Sequence, residues 1–156
     1  MLGGYISDLE AGDVFEPVEY VLTGFMATEY AHGVEENCEW FHSPVAPGGR
    51  QMRPPTMIHV DKMRILERNC TKEQRVSGMK GPDARVHYEY HARQRSAAYV
   101  GETMVVSGRI TARYVKRGRH YIDYHLQVHC KEDGRLITDY TDMTLLRYQP
   151  DPEPAR

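Results

Sequence analysis

Three stretches in the second half of the chain restrict its fold more than any other feature. Thr103 to Val115, Tyr121 to Cys130 and Leu136 to Tyr148 alternate apolar and polar residues, the period of a strand with one buried face. The first puts Val106, Gly108, Ile110, Ala112 and Tyr114 on one side. The second does the same with Ile122, Tyr124, Leu126, Val128 and Cys130. Between them stand two turns, Lys116 to Arg119 around Gly118 and the hairpin signal Glu132-Asp133-Gly134. Three long strands in succession form an antiparallel meander whose apolar face needs a cover. Val86 to Ala92 is one more strand, and Val100-Gly101-Glu102 is a turn ahead of the meander.

The cover comes from the first half. Pro54-Pro55-Thr56 opens a helix running from Pro55 to about Asn69, because proline suits a first helical position whose N–H is not needed. At 1.5 Å per residue it is about 22 Å long. Met57, Ile58, Val60, Met63, Ile65 and Leu66 spread around its circumference, as expected of a helix wrapped by other structure. A shorter helix is read from Tyr20 to Gly33, with Thr23 as N-cap, Phe25, Met26, Tyr30 and Ala31 as apolar surface and Gly33 as its stop. Val34 to Arg53 is a loop whose Pro- and Gly-rich part, Ser43 to Arg50, reads as a mobile flap. Thr71 to Asp83 reads as a connector. The pattern therefore predicts an α+β protein with a helix on an antiparallel sheet: one domain over residues 1–148, then a disordered tail over 149–156.

Bulk properties exclude several functions. A formal charge of −2 with scattered Lys and Arg argues against a nucleic-acid binder. No apolar run approaches the roughly 20 residues that span a bilayer, and the first residues lack the basic-then-apolar pattern of a signal peptide. Three widely spaced cysteines, Cys38, Cys70 and Cys130, form neither a disulfide framework nor a CxxC metal pair. The expected setting is cytoplasmic, with free thiols. There is no P-loop and no GxGxxG after a strand, so no nucleotide or redox cofactor is expected.

The segments Ala84 to Tyr90, Tyr99-Val-Gly-Glu-Thr-Met-Val-Val-Ser-Gly-Arg109, Tyr114-Val-Lys-Arg-Gly-Arg-His-Tyr121 and Glu132-Asp-Gly134 resemble the second half of a MaoC-like hydratase or dehydratase domain. Glu102 stands where that family usually has Asp. Ala46-Pro47 and Arg53-Pro-Pro-Thr-Met-Ile58 resemble the approach to the family's central helix. The resemblance covers roughly residues 10 to 148. It implies a hot-dog fold, in which a curved antiparallel sheet wraps a central helix. It also implies action on an enoyl or 3-hydroxyacyl thioester of coenzyme A or a carrier protein, as in fatty acid metabolism. A homodimer or higher oligomer is implied too, with a second MaoC-like chain as the alternative partner.

The family's motif Asp-x-Asn-Pro-x-His-x-Asp falls, without gaps, on Glu36-Asn37-Cys38-Glu39-Trp40-Phe41-His42-Ser43. Glu36 takes the place of the catalytic Asp. Phe41 takes that of the catalytic His, with His42 one residue on. Hydration of an enoyl thioester needs a carboxylate and an imidazole about one hydrogen bond from a shared water, and donors for the enolate oxygen. Glu36 and His42 are the expected acid/base pair. The amides of Thr56 and Met57 would bind the oxygen, since Pro54 and Pro55 have no N–H. Trp40 and Phe41 would line the acyl pocket, or simply anchor the loop to the core.

Other readings stand beside this one. A chain that has lost the chemistry would serve as a subunit binding an acyl thioester or pairing with an active partner. Cys38 with His42 or His32 would make a nucleophilic pair in a thioesterase. Two period-two sets, His87, Glu89 and His91, and Asp123, His125 and His129, hold ligand types suited to zinc. They read more simply as a polar sheet face or a subunit interface, so no metal site is expected.

Overall fold

A computed structural model describes residues 2–70 and 86–146. The alternating segments form a five-stranded antiparallel sheet in the order β1-β3-β4-β5-β2. Its strands are β1 (Val18–Val21), β2 (Val86–Gln94), β3 (Thr103–Lys116), β4 (Arg119–Cys130) and β5 (Leu136–Leu145). Helix α1 (Gly24–Gly33) follows β1. Helix α2 (Ile58–Asn69) is preceded by a 3-10 turn, Pro55–Met57, so the expected central helix is present with its first turn tightened. The expected connector from Thr71 to Asp83, residues 147–148 of the last strand and the tail over 149–156 lie outside the described residues.

The meander forms as its alternation requires. Ile122, Tyr124, Leu126, Val128 and Cys130 are all buried, and they share one core with Ile58, Ile65 and Leu66 of α2. In β3 the alternation breaks at a bulge between Ile110 and Ala112. The extra residue displaces the face, so Ile110 is buried while Ala112 and Tyr114 are only half-buried. Gly108 sits where β3 is crowded. A Cβ there would lie 2.2 Å from the carbonyl oxygen of His125, and its own carbonyl accepts from Phe15 N at 2.9 Å. The Asp133-Gly134 turn holds Gly134 at a φ of 72°, where glycine is favoured.

The N-terminal half departs from expectation in three places. Tyr20 and Val21 do not begin the helix. They belong to β1, which pairs with Thr103 to Val106 and completes the sheet. Four residues are too few for alternation to show. Thr23 does cap α1, accepting from Met26 N at 3.2 Å. Phe25, expected to cover the core, is 75% exposed, whereas Ala27 and Ala31 face inward. α1 does end at Gly33, but the left-handed turn beyond it falls on Glu35, at a φ of 57°. Glu35 N donates to His32 O at 3.1 Å and Glu36 N to Ala31 O at 2.8 Å. That is a Schellman end with a glutamate where glycine is usual.

Candidate functional site

The Schellman end throws the chain out of α1 and starts the loop that carries the expected acid/base pair. Glu36 follows the strained Glu35, and its Oε1 accepts from Cys38 N at 2.9 Å. A 3-10 turn, Glu39–Phe41, then carries the chain to His42. His42 Nε2 lies 2.8 Å from the backbone oxygen of Glu36. A carbonyl can only accept, so the Nε2 of a neutral ring carries the proton and Nδ1 keeps its lone pair. The His32 ring packs against the His42 ring at 4.9 Å between centroids. Glu36 and His42 thus meet through the Glu36 backbone, and both are accessible to solvent.

This loop is fastened to the segment that leads towards α2. Gln51 Nε2 donates both to Phe41 O at 2.7 Å and to Thr28 Oγ1 at 3.1 Å. Met52 N donates to Trp40 O at 2.7 Å. Tyr30 Oη donates to Thr56 O at 2.9 Å, joining α1 to the 3-10 turn. The backbones of Trp40 and Phe41 therefore anchor the loop, while the Trp40 side chain stays 44% exposed. The Pro- and Gly-rich segment closes on itself, with Ala46 paired to Arg50 and the Arg50 guanidinium 3.5 Å from the centre of the Tyr99 ring.

Of the two amides expected to bind an oxyanion, that of Met57 donates to Pro54 O at 3.0 Å and its side chain is buried in the core. Thr56 is exposed at the turn. Beneath it, Arg53 and Asp61 form a buried ion pair at 2.5 Å, with side chains 1% and 0% exposed. Tyr20 Oη donates to Asp61 Oδ1 at 2.6 Å and accepts from Arg53 Nη1 at 2.8 Å. Burial works against the Arg53 charge, but Asp61 and Tyr20 outweigh it and hold the guanidinium pKa above its ordinary value. Burial and the Asp61 charge push the Tyr20 phenol up. Arg53 N donates to Ala98 O at 2.9 Å, so the approach to α2 is pinned on both sides.

A second polar cluster lies between α2 and the strands β5 and β2, and the sequence reading missed it. Asp142 is fully buried. It accepts from Tyr140 Oη at 2.5 Å, Thr144 Oγ1 at 2.7 Å and Lys62 Nζ at 3.2 Å, and His87 Nε2 lies 3.0 Å away. His59 packs edge-on against Tyr90 at 4.9 Å. Burial, then Lys62 and His87, lower the pKa of His59. Burial likewise lowers that of His87, where Asp142 and Lys62 pull in opposite directions. The available signal was Thr138, Tyr140, Asp142 and Thr144, polar residues at the inward positions of β5.

The histidine sets do not assemble as their period implied. A bulge between His87 and Glu89 breaks the alternation of β2, so His87 turns inward to Asp142 while Glu89 Oε1 pairs with His91 Nε2 at 3.0 Å. On β4, His125 bonds Asp139, and Asp123 accepts from Tyr114 Oη at 3.2 Å. Among the described residues, no group of three or more His, Cys, Asp or Glu is placed to hold a metal ion. No helix among them is long and apolar enough to cross a membrane. Cys38 is exposed, and Cys70 and Cys130 are buried.

A helix embraced by a curved five-stranded antiparallel sheet defines the hot-dog class. Solved structures of that class superpose on the chain. A MaoC-like dehydratase from Rhodospirillum rubrum matches with a TM-score of 0.66 at 12% identity, over 94% of this chain and 98% of its own. The (R)-hydratase from A. caviae involved in PHA biosynthesis matches at 0.67 and 11%, over 89% and 98%. A chain of the HadBC (3R-hydroxyacyl-ACP dehydratase) complex from Mycobacterium tuberculosis matches at 0.70 and 13%, over 86% and 96%. No protein-family model and no curated protein sequence matches the chain. The shared fold is that of MaoC-like dehydratases and (R)-hydratases.

Proposed function

We propose that the chain is a hydratase or dehydratase acting on an enoyl or 3-hydroxyacyl thioester carried by coenzyme A or a carrier protein, and that it works as a homodimer. The observation that carries this reading is the loop from Glu36 to His42. It carries Glu36 and His42 on one short loop, joined through the Glu36 backbone oxygen and stapled by Gln51 to α1, while Tyr30 ties the Thr56 turn to the same helix. In the hydration direction, His42 Nδ1 takes a proton from water as the oxygen adds to C3. The proton taken from that water is returned to C2 through the Glu36–His42 pair. The Thr56 amide faces the thioester oxygen as it gains enolate character. Trp40 and Phe41 border the acyl chain.

The test is loss of enoyl-thioester absorbance on adding the purified chain alone, across short, long and branched acyl groups. Turnover on any of them is the expected result. Absence of turnover on all of them, with the protein folded, removes the proposal.

One observation favours a second reading. The Met57 amide is already taken by Pro54 O, which leaves the oxygen site with one donor fewer than expected. A chain lacking that donor would serve as the partner of a catalytically complete hot-dog subunit. Copurification with a second MaoC-like chain and activity only in the pair would establish this.

A further inference from the structure

Among the described residues, helix α2 covers β5 but stops short of β2. Thr138, Tyr140 and Asp142 of β5 are buried. Their direct partners on β2 are Gln94, Ala92 and Tyr90, and residues paired in this way point to one face of a sheet. The three on β2 therefore face the helix side, yet all three are exposed, Tyr90 by 45%. On the helix, Met63 is 44% exposed. What results is an open strip, floored by β2 and walled by α2.

The polar groups along this strip are of two kinds. Some are already committed. Lys62 is held by Asp142, and Gln94 donates to Ser96 O at 2.6 Å while accepting from Thr138 Oγ1 at 2.9 Å. Two are open: the His59 ring and the Tyr90 phenol make no hydrogen bond to any described residue. Their rings meet edge-on at 4.9 Å, and Tyr140 stands edge-on to His59 at 5.9 Å. Burial, then Lys62 and His87, favour the neutral His59 ring. A neutral imidazole offers one N–H and one lone pair, and a phenol can likewise donate and accept. With the Lys62 charge taken up by Asp142, the group that matches this pair is uncharged and both donates and accepts, which describes a hydroxyl. A few polar groups set among aromatic rings are what fix orientation and specificity in a ligand site. His59 also stands three residues on from Thr56, so the two share a face of the helical segment. A thioester held at the Thr56 amide therefore has this strip beside it.

We infer that the strip between α2 and β2 receives the far part of the acyl group, and that His59 and Tyr90 select thioesters whose acyl group carries a hydroxyl beyond C3. That hydroxyl donates to the bare nitrogen of His59 and accepts from the Tyr90 phenol. The inference rests on the thioester of the reading above and not on its chemistry.

The test compares kcat/KM for straight-chain 2-enoyl coenzyme A thioesters of increasing length with counterparts bearing a terminal hydroxyl. Binding of the saturated thioesters is measured in parallel by calorimetry. The wild type favours the hydroxylated member by about tenfold at the length that reaches His59, in kcat/KM and in Kd, as one good hydrogen-bonding site allows. His59→Phe and Tyr90→Phe keep a ring and remove the polar atoms, and each brings that ratio to about one. Circular dichroism checks that both variants fold. No preference at any length, a preference for the plain chain, or a preference that survives both exchanges overturns the inference. Discrimination in binding without turnover would leave this subsite standing and remove the hydratase reading, and turnover without discrimination would do the reverse.

Discussion

The loop from Glu35 to His42 and the polar groups around α2 use the same residue types to opposite ends. Under the sheet, every oxygen of Asp61 and Asp142 is bound by a donor from another residue: Arg53 and Tyr20 for one, Lys62, Tyr140 and Thr144 for the other. Such closed networks leave no carboxylate free for chemistry, and each costs dearly to open. In the loop, Glu36 and His42 bond only to nearby backbone, face solvent, and follow a glutamate held in a left-handed conformation. A left-handed residue beside exposed polar side chains is one of the observations behind the proposal that this loop carries the acid/base pair. The interior fixes α2.

The comparison breaks most readily at the Arg53–Asp61 pair. Arg53→Met strands the Asp61 charge in the interior and should cost about 3 kcal/mol in urea unfolding. A loss below about 1 kcal/mol would mean that the pair is not buried as described. Asp142→Ala should come next, at about 2 kcal/mol, because the donors from Lys62, Tyr140 and Thr144 lose their acceptor.

Acidity sharpens the contrast further. His59 and His87 have folded pKa values below the ordinary 6.5, so the fold favours their neutral forms. Their contribution is complete above pH 6.5. It is lost as the pH falls through 6.5 towards the depressed folded values, because the unfolded chain binds protons first. Chemical unfolding at a series of pH values should show that decline, and His87→Gln should flatten part of it. A stability curve unchanged on acidification to about pH 5.5 would contradict the lowered pKa values of these rings. The smallest effect belongs to the loop itself. Glu35→Gly relieves the left-handed conformation and should stabilise the protein by about 0.5–1 kcal/mol, read from the urea midpoint.

The sheet was readable because its signal is long. Fourteen residues of β3 and twelve of β4 repeat one period, and Gly118 and Gly134 punctuate them. The central helix announced itself through Pro54-Pro55. What escaped had short or local causes. β1 offers four residues, too few for a period. The bulges in β2 and β3 shift a face by one residue without changing composition, which is why His87 parted from Glu89 and His91. The networks of Asp61 and Asp142 include pairs 8 and 80 positions apart, and nothing local in the sequence marks those pairings. At the candidate site, the residue types were legible in the motif position. The Schellman end that aims Glu36, and the bond that fixes the His42 proton, depend on backbone conformation and could be seen only in three dimensions.

The central claim is that the loop carries chemistry and contributes little to stability. It is tested most directly by measuring enoyl-thioester hydration and urea unfolding together for Glu36→Gln and His42→Ala. The account predicts wild-type turnover, loss of that turnover by at least about a hundredfold in each variant, and stability within about 0.5 kcal/mol of wild type. Full activity in either variant would contradict it.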